Sequence, residues 1–347
     1  METKKSFCRM CVAYCGINAE VDQGQLMSVK ADPDHALSRG FSCVKGRRIP
    51  DIVNHPSRLK HSLKRNKDGS FDAIGNVDAT SEIADQLNKI IDQYGPRAVA
   101  TYTGTGCWGD SVLRAVVKSW HKSIGSVMRC SSASIDQPAK FVTPWHLGAW
   151  GAGPHSFLSA KVIMLIGQNP IISGQYHPGG PPYPSDLHDA RRRGLKVIVV
   201  DPRKTEQAQQ ADIHLQVIPG EDPTLMAAML NVILKEQLYD KDFCDQHVKG
   251  LQVLRESVAD FSPAYAAKRC GLAEEDIIAA ARLFASEDRG IASTGSGTCM
   301  APNPNLTEHL VLCINTVCGR WNREGEPVNM PSILTGNNPR PAQAVPA

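Results

Sequence analysis

The sequence predicts an α/β protein in which a small β-rich domain precedes doubly wound, parallel-sheet (Rossmann-like) domains. Residues 1–60 combine four cysteines with short apolar alternations, a pattern typical of small β-rich modules that need a bound cofactor. From about residue 78, amphipathic helices alternate with apolar strands, and a polar or glycine-rich loop follows each strand. The expected parts are 1–60, 61–158 as the first part of an interleaved α/β domain, 159–325 as a Rossmann-like domain and 326–347 as an irregular tail.

Four cysteines give the N-terminal domain its chemistry. They are spaced C-x2-C-x3-C-x27-C, at Cys8, Cys11, Cys15 and Cys43. Four thiolates with such uneven spacing suit a 4Fe-4S cluster, because a tight loop can wrap one side of the cube. Zinc and disulfides are the alternatives. Zinc more often binds two paired CxxC knuckles, and the second knuckle is absent here, whereas disulfides need an oxidising compartment. The sequence therefore predicts an iron–sulfur domain at residues 1–60.

The first α/β segment begins with a helix whose apolar residues 83, 87, 90 and 91 lie on one face and which ends at Gly95. A buried strand over residues 98–102 follows it. This strand leads into a loop at Thr103 and Gly104, and a helix over residues 112–120 comes next.

The same order of elements returns further along the chain. Apolar strands at 161–166, 196–200 and 290–294 end in loops at 167–170, 201–203 and 295–298, and helices are expected at 186–193 and 224–234. Ligands of doubly wound sheets bind at the carboxyl ends of the strands. The loops at 103–106, 167–170, 201–203 and 295–298 would therefore share one edge if their strands are neighbours.

These loops predict a large, phosphorylated, nucleotide-bearing cofactor, more than a single NAD would require. Asp201 can accept two hydrogen bonds from a guanine or a ribose, and Arg203 can bind phosphate bidentately. A helix cap with a surface arginine is the alternative, and no loop matches GxGxxG with an acidic residue downstream. The residues expected to contact the cofactor are Thr103, Gly104, Gly167, Asn169, Pro170, Asp201, Arg203, Gly220, Asp222, Gly295 and Gly297.

Composition limits the other classes of function. The 347 residues carry a formal net charge of +3, so no strong field favours nucleic acid as a partner. Residues 1–7 contain no apolar leader, and no long apolar run predicts a membrane span. We therefore expect a cytoplasmic protein with reduced cysteines. The cysteines outside the motif are expected to be mostly buried small hydrophobes, and they are Cys107, Cys130, Cys244, Cys270, Cys299, Cys313 and Cys318.

Taken together, these motifs resemble those of the molybdopterin oxidoreductases of the dimethyl sulfoxide reductase superfamily, which includes formate dehydrogenases and nitrate reductases. The four cysteines match the family's cluster motif, and Lys45 matches a lysine between cluster and pterin. The segments that also match are His55–Lys60 (HPSRLK), Ser134–Lys140 (SIDQPAK), Gly167–Pro170, Val199–Arg203 and Pro219–Asp222. The resemblance covers nearly all of the chain.

The resemblance implies a molybdenum or tungsten ion held by bis(molybdopterin guanine dinucleotide). Such a centre takes two electrons, and often an oxygen atom, from a small-molecule substrate, and the 4Fe-4S cluster passes the electrons singly to an external redox partner. Lys45 would be an electron relay between the two centres, with an exposed loop lysine as the alternative. The protein orients the cofactor and tunes its potential.

The protein ligand to the metal is expected near Cys130, whose thiolate would be a suitable soft ligand. However, Ser131 follows it, where formate dehydrogenases have a histidine, so formate as the substrate is in doubt. Ser131, Ser132 and Asp136 lie nearby, and related enzymes use serine, aspartate or no side chain as the ligand. The alternative to a metal-binding Cys130 is a plain buried cysteine. The histidines that could line a substrate funnel are His146, His155 and His177.

Full members of the family are about twice as long and carry a further C-terminal domain. The sequence therefore predicts a truncated product, a fragment, or one of two chains, with the C-terminal part on a separate polypeptide. Two other classes of function remain open. One is an electron-transfer subunit, or inactive fragment, that keeps only the cluster, and the other is a zinc-stabilised binding domain without redox function.

Overall fold

The computed structural model describes residues 1–11, 13–36, 38–104, 106–107, 110–148, 153–173, 184–328 and 340–341. It divides into two compact units, unit 1 at residues 1–134 and unit 2 at residues 135–347. The four-part division expected from the sequence stays a prediction.

The described part of unit 1 contains three small sheets and four α-helices. Its elements are β1 (Glu2–Phe7), β2 (Gly16–Asp22), β3 (Gln25–Ala31), α1 (Val44–Arg47), α2 (Ile49–Val53), β4 (Ser62–Arg65), β5 (Phe71–Ile74), α3 (Asn76–Tyr94), β6 (Thr101–Thr103), α4 (Ser111–Ile124) and β7 (Arg129–Ser131).

The first sheet of unit 1 is antiparallel, in the order β1-β2-β3. Alternate residues of β2, Ile17 and Ala19, are buried with Val29 of β3, as expected for a strand with one face on a core. A bulge between Glu20 and Val21 shifts the register of the β2–β3 pair. The prediction of a small β-rich N-terminal domain is confirmed.

The middle of unit 1 departs from the expected burial. The predicted helix is present as α3, but none of its residues is buried, and Ile83 is 59% exposed. The prediction of a buried strand over 98–102 is wrong. Residues 96–98 form a 3₁₀ helix, and the strand β6 exposes 65% of Tyr102. Among the described residues β6 pairs only with β7, so this short sheet has little surface with which to bury a strand.

Unit 2 contains a parallel sheet and many helices. Its elements are α5 (Ala139–Leu147), β8 (Val162–Ile166), α6 (Pro170–Ser173), α7 (Pro184–Arg192), β9 (Lys196–Val200), β10 (Ile213–Leu215), α8 (Asp222–Lys235), α9 (Lys241–His247), α10 (Leu251–Ser257), α11 (Pro263–Cys270), α12 (Glu274–Ser286), β11 (Gly290–Thr294), α13 (Ser296–Cys299), α14 (Pro304–Val317), β12 (Pro327–Val328) and β13 (Arg340–Pro341).

The central sheet of unit 2 has the strand order β10-β9-β8-β11, with every pair parallel. Side chains of β8 alternate between two cores. Met164 and Ile166 pack in a core with α8, α12 and α14, whereas Ile163 and Leu165 pack with Phe157 and residues of α7. A sheet buried on both faces explains the continuous apolar runs in the sequence. The predicted doubly wound parallel sheet is confirmed.

The outer edge of β11 is covered by α14. The side chain of Asn315 accepts a hydrogen bond from Ala292 N (2.9 Å) and donates one to Ala292 O (2.8 Å). This buried amide satisfies the backbone of an edge strand, which would otherwise be left unpaired.

Within the described ranges, no helix is long and apolar enough to span a bilayer.

Candidate cofactor-binding site

The cysteine motif forms one compact loop of unit 1. The turn between β1 and β2 holds Cys8, Cys11 and Cys15, and it is closed by a hydrogen bond from Cys8 N to Cys15 O (2.8 Å). Cys43 lies directly before α1. A Cβ atom on Gly46 would lie 2.7 Å from the hydroxyl oxygen of Ser42 and 3.4 Å from the sulfur of Cys8. Glycine at this position therefore lets α1 approach the cysteine loop closely.

The thiols of the motif lie close enough together for their charges to raise the pKa of Cys8 and Cys15. Burial, together with the charges of Cys11, Cys8 and Cys43, raises the pKa of Cys15 to about 12. Burial also raises the pKa of Cys8, with added repulsion from Cys11 and Cys43. Thiolates at this site are therefore unfavourable until a cation compensates them. This environment favours binding of a cationic iron centre.

A cubane cluster fits this arrangement. Within the described part of the chain, no three His, Cys, Asp or Glu residues form a group that could hold a metal ion. A 4Fe-4S cube does not need such a group, because each of its four cysteines binds a different iron atom. Cys8 and Cys15 are buried and Cys11 and Cys43 are half-buried, so the loop can enclose a cube from one side.

Lys45 lies in α1, two residues after Cys43, and is exposed. Its charge lowers the pKa of Cys8, against the stronger effect of burial. The ammonium group is therefore near the cysteine loop, as the resemblance predicts. Its role as an electron relay stays a prediction.

Two strand-end loops of the parallel sheet touch through glycines. Gly295 N donates to Ile166 O (2.7 Å), and Gly297 N donates to Gly167 O (3.2 Å). A Cβ on Gly295 would lie 2.5 Å from Gly167 O, and one on Gly297 would lie 3.0 Å from the same atom. Gly167 itself has φ +60°, a left-handed conformation that favours glycine. These glycines therefore allow the loops after β8 and β11 to pack backbone against backbone.

The loop after β9 joins the same edge. Gly167 N donates to Val200 O (2.9 Å), and Asn169 Nδ2 donates to Glu206 Oε2 (2.9 Å). The Oδ1 atom of Asn169 is buried without a partner, and both amide atoms of the fully buried Gln207 are also unpaired. Buried polar atoms without partners are costly, so this edge has hydrogen-bonding capacity that a ligand can use. Sequence reasoning missed Gln207, for which the sequence gives no signal.

Two buried acids follow β9 and β10, with Asp201 directly after β9 and Asp222 at the start of α8. Asp201 accepts a hydrogen bond from Arg203 N (2.8 Å), and the guanidinium of Arg203 is exposed. Burial raises the pKa of Asp222, and the nearby charge of Asp201 raises it further. Gly220 has φ +95° beside Pro302. The predicted residues after β8, β9, β10 and β11, including Pro170 at the start of α6, are thus at carboxyl ends of strands in one sheet.

Thr103 and Cys130 lie in the separate β6–β7 sheet of unit 1, and Gly104 follows β6. The condition under which the 103–106 loop would share the edge, that its strand neighbours the others, is therefore not met. A short strand's sequence does not say which strand it pairs with. Cys130 is exposed, so the alternative of a plain buried cysteine at this position is wrong, and Cys107 is half-buried. The other five cysteines outside the motif are buried, as predicted.

The SIDQPAK segment, residues 134–140, holds the loop after β11 at two points. Lys140 Nζ donates to Thr294 O (2.6 Å), and Ser296 Oγ donates to Asp136 Oδ1 (2.7 Å). Burial lowers the pKa of Lys140, while the charge of Glu308, which accepts a hydrogen bond from the Thr294 hydroxyl, opposes that shift. This role was missed at the sequence level, although the i, i+4 spacing of an acid and a base was visible.

The histidines proposed for a substrate funnel have different environments. His155 is buried, and its Nδ1 accepts a hydrogen bond from Gly290 N (3.3 Å) at the opposite end of β11 from Gly295. The funnel interpretation is therefore wrong for His155. His146 lies near His309 and lowers its pKa, in addition to the effect of burial. His177 lies outside the described residues.

Comparison with known proteins identifies the family. Residues 1–55 match the model of the molybdopterin oxidoreductase Fe4S4 domain, and residues 58–344 match that of the molybdopterin oxidoreductase family. These matches support a 4Fe-4S cluster and a molybdenum or tungsten molybdopterin as cofactors.

Among relatives, the chain is 28% identical to the F420-dependent formate dehydrogenase subunit alpha of Methanocaldococcus jannaschii, over 82% of this chain and 41% of that protein. It is 26% identical to the periplasmic nitrate reductase of Desulfovibrio desulfuricans, over 90% and 43%. The structure of acetylene hydratase from Pelobacter acetylenicus superimposes with a TM-score of 0.79 at 26% identity, over 92% of this chain and 44% of that one. The chain thus spans less than half the length of each, and it belongs to the molybdopterin oxidoreductases of the dimethyl sulfoxide reductase superfamily.

Proposed function

We propose that this chain is a molybdopterin-dependent oxidoreductase that binds the guanine dinucleotide form of the cofactor at the carboxyl edge of its parallel sheet. One observation carries the proposal. The strand-end loops meet there in glycine contacts without space for side chains, beside the buried unpaired amide atoms of Asn169 and Gln207. A cofactor rich in hydrogen-bonding groups can satisfy these atoms.

The residues at this edge have different proposed roles in binding the cofactor. Asp201 and Asp222 accept hydrogen bonds from the guanine or the ribose, and Arg203 binds phosphate. Gly167, Gly295 and Gly297 allow the backbone to approach the ligand closely. When bound, molybdenum or tungsten in bis(molybdopterin guanine dinucleotide) supplies two-electron chemistry, often with transfer of an oxygen atom.

Residues of unit 1 complete the proposal. Cys8, Cys11, Cys15 and Cys43 hold the 4Fe-4S cluster, and the charge of Lys45 favours its reduced state. Thr103 and Gly104 remain proposed cofactor contacts. Cys130, exposed at its strand, remains the proposed protein ligand to the metal.

The cluster implies a redox partner outside this chain. We propose that a small-molecule substrate reacts at the molybdenum or tungsten and that the cluster exchanges single electrons with a separate protein or subunit. A relative that is itself named as a subunit of a formate dehydrogenase supports this view. A cytoplasmic location also remains a proposal, because the cluster and the free cysteines favour a reducing compartment.

An inventory of metals and pterin in the full chain, purified without air, tests the function. We expect about four irons per chain, molybdenum or tungsten, fluorescent oxidised pterin, and guanine nucleotide after denaturation. Iron without pterin would instead indicate an electron-transfer subunit or an inactive fragment. Zinc without iron would indicate a binding domain and would refute the proposal.

Two variants separate the cofactors in the same assay. Cys15→Ser is expected to lose iron, whereas Cys270→Ser, which removes a buried thiol outside the motif, should keep it. Asp201→Asn is expected to keep iron and to release less guanine nucleotide, because a neutral amide accepts weaker hydrogen bonds than a carboxylate. Unchanged guanine content in Asp201→Asn would contradict the assignment of this loop.

A further inference from the structure

A cavity in unit 1 has a strongly one-sided charge. It has a volume of about 690 Å³ and is lined by residues of β6, β7 and α4. Arg114 and Lys118 line it from α4, and Arg129 lines it from β7. None of the described residues that line it is acidic. Cationic side chains therefore predominate among the charged groups that the structure describes in the wall of the cavity.

Lys118 and Arg129 also lack an acidic partner among the described residues outside the cavity wall. Neither Lys118 nor Arg129 forms an ion pair with any residue that the structure describes. Leu113 and Val117 form an apolar part of the wall, which strengthens electrostatic attraction by lowering the local dielectric. An anion entering the cavity would gain charge-assisted hydrogen bonds that the protein itself does not supply.

The attraction comes from side chains rather than from a free helix terminus. The first N–H groups of α4 are already satisfied, because Asp110 Oδ1 accepts from Val112 N and Leu113 N, both at 3.0 Å. The spacing of Arg114 and Lys118, four residues apart, places them on one side of α4. Arg129 faces them from the neighbouring strand, so the cations surround a common space.

We infer that this cavity binds an oxyanion, with Lys118 and Arg129 as its principal ligands and Arg114 assisting. Cys130 lines the same cavity, so the bound anion lies beside the thiol proposed as a metal ligand. Only the identity of the anion rests on the proposed function. It is either a small oxyanion substrate delivered to that centre or the diphosphate of the cofactor itself, since both present the same charged oxygens.

Calorimetric titration of the full chain without air tests the inference, with nitrate and pyrophosphate as probes. The protein is prepared both from cells that make the pterin and from cells that do not. The test variant is Lys118→Gln/Arg129→Gln. The control is Lys122→Gln, which removes an exposed charge from the same helix outside the cavity.

The pterin-free wild-type chain is expected to bind at least one probe saturably, and more weakly as salt is added. The double variant should bind roughly tenfold or more weakly, and the control should match the wild type. Nitrate binding that persists in pterin-loaded protein identifies a substrate site. Pyrophosphate binding that the pterin abolishes identifies the diphosphate.

Two results would overturn the inference: no saturable binding of either probe to the pterin-free chain, or equal binding to the wild type and the double variant. Circular dichroism of the double variant verifies that it is folded before titration. Anion binding and the cofactor inventory are measured separately. A chain made in pterin-producing cells that contains no pterin but still binds anions would refute the proposed function and leave the inference standing. A chain that takes up pterin there, but binds neither probe in its pterin-free form, would do the opposite.

Discussion

The environment of the cysteine loop favours metal-bound thiolates over free thiolates. Burial and mutual repulsion raise the pKa of Cys8 and Cys15, so free thiolates there cost energy. A cationic cluster removes that cost, and its binding energy then contributes to folding. The same reasoning explains why a nearby cation, Lys45, is favourable beside the loop.

His155 gives a prediction about acid stability. Burial, together with the nearby guanidinium of Arg289, lowers its pKa from 6.5 to about 4. Between these values the unfolded chain binds more protons than the folded protein, so stability is complete above about pH 6.5 and falls as the pH drops toward about 4. Gln at position 155 can still accept a hydrogen bond from Gly290 N. Between about pH 6.5 and 4.5 we expect the free energy of unfolding of His155→Gln to fall by about 2 kcal/mol less than that of the wild type.

Urea unfolding at several pH values measures this difference. Acid lability of the cluster affects both proteins, so only the difference between them is used. If His155→Gln loses as much stability on acidification as the wild type, the histidine is not the group that titrates.

Lys140 gives a second prediction at the same scale. In Lys140→Met the desolvation cost of the ammonium disappears, but the buried Glu308 loses a nearby cation, so we expect the free energy of unfolding to fall by about 1–3 kcal/mol. The Thr294 carbonyl also loses its donor, and the Gly295–Gly297 loop is less well held. Pterin affinity should therefore fall, on the order of tenfold.

Thermal unfolding and released guanine nucleotide are the two measurements for Lys140→Met. Lys161→Met is the control, because Lys161 is exposed and pairs only with Asp288 away from the loop. Equal pterin content in the two variants would show that the Lys140 contact does not position the loop.

At the scale of secondary structure, much of unit 2 was predictable. The strand β9 has the predicted bounds, as has β11, and β8 differs by one residue, because strands buried on both faces are uninterrupted apolar runs. The position of β6 was not predictable. Its apolar residues specify a strand, but the identity of its partner depends on contacts distant in sequence. The hydrogen bond from Lys140 to the loop after β11 was not predictable for the same reason, since Lys140 and Thr294 are far apart in the chain.

The contact between strand-end loops yields a prediction for Gly295→Ala. The added Cβ would lie 2.5 Å from both Gly167 O and Gln168 Cβ, and the backbone oxygen cannot rotate away. We expect a loss of about 1–3 kcal/mol in the free energy of unfolding. Gly106→Ala, where nothing lies within 4 Å, should change it by less than about 0.5 kcal/mol. Chemical denaturation compares them, and equal stability would mean that the two loops are not packed as described.

At the scale of the whole molecule, the two units differ in how they are stabilised. Unit 2 has a continuous apolar core on both faces of its sheet. Among the described residues of 1–55 the buried apolar side chains are few and small, namely Cys8, Ala13, Cys15, Ile17, Ala19 and Val29. A module with so little core depends on a bound metal centre for its stability. Removing iron should therefore disorder this module and leave unit 2 folded.

Alkylation of the eleven cysteines, mapped by mass spectrometry, tests this difference. Burial raises the pKa of Cys244 to about 11 and that of Cys270, Cys313 and Cys318 to about 12, so these thiols should resist iodoacetamide until unit 2 unfolds. The half-buried Cys107 is the reference for rapid labelling. In protein purified without air, Cys8, Cys11, Cys15 and Cys43 should be protected, because their sulfurs are bound to iron.

After iron is chelated, the four motif cysteines should react at nearly the rate of Cys107, while the thiols of unit 2 stay protected. Protection of the exposed Cys130 in pterin-loaded protein, lost in pterin-free protein, would support its role as the metal ligand. If the motif cysteines are labelled as fast as Cys107 before chelation, no cluster is bound there. If chelation instead exposes the cysteines of both units together, the cluster stabilises the whole chain, and the independent stability of unit 2 is refuted.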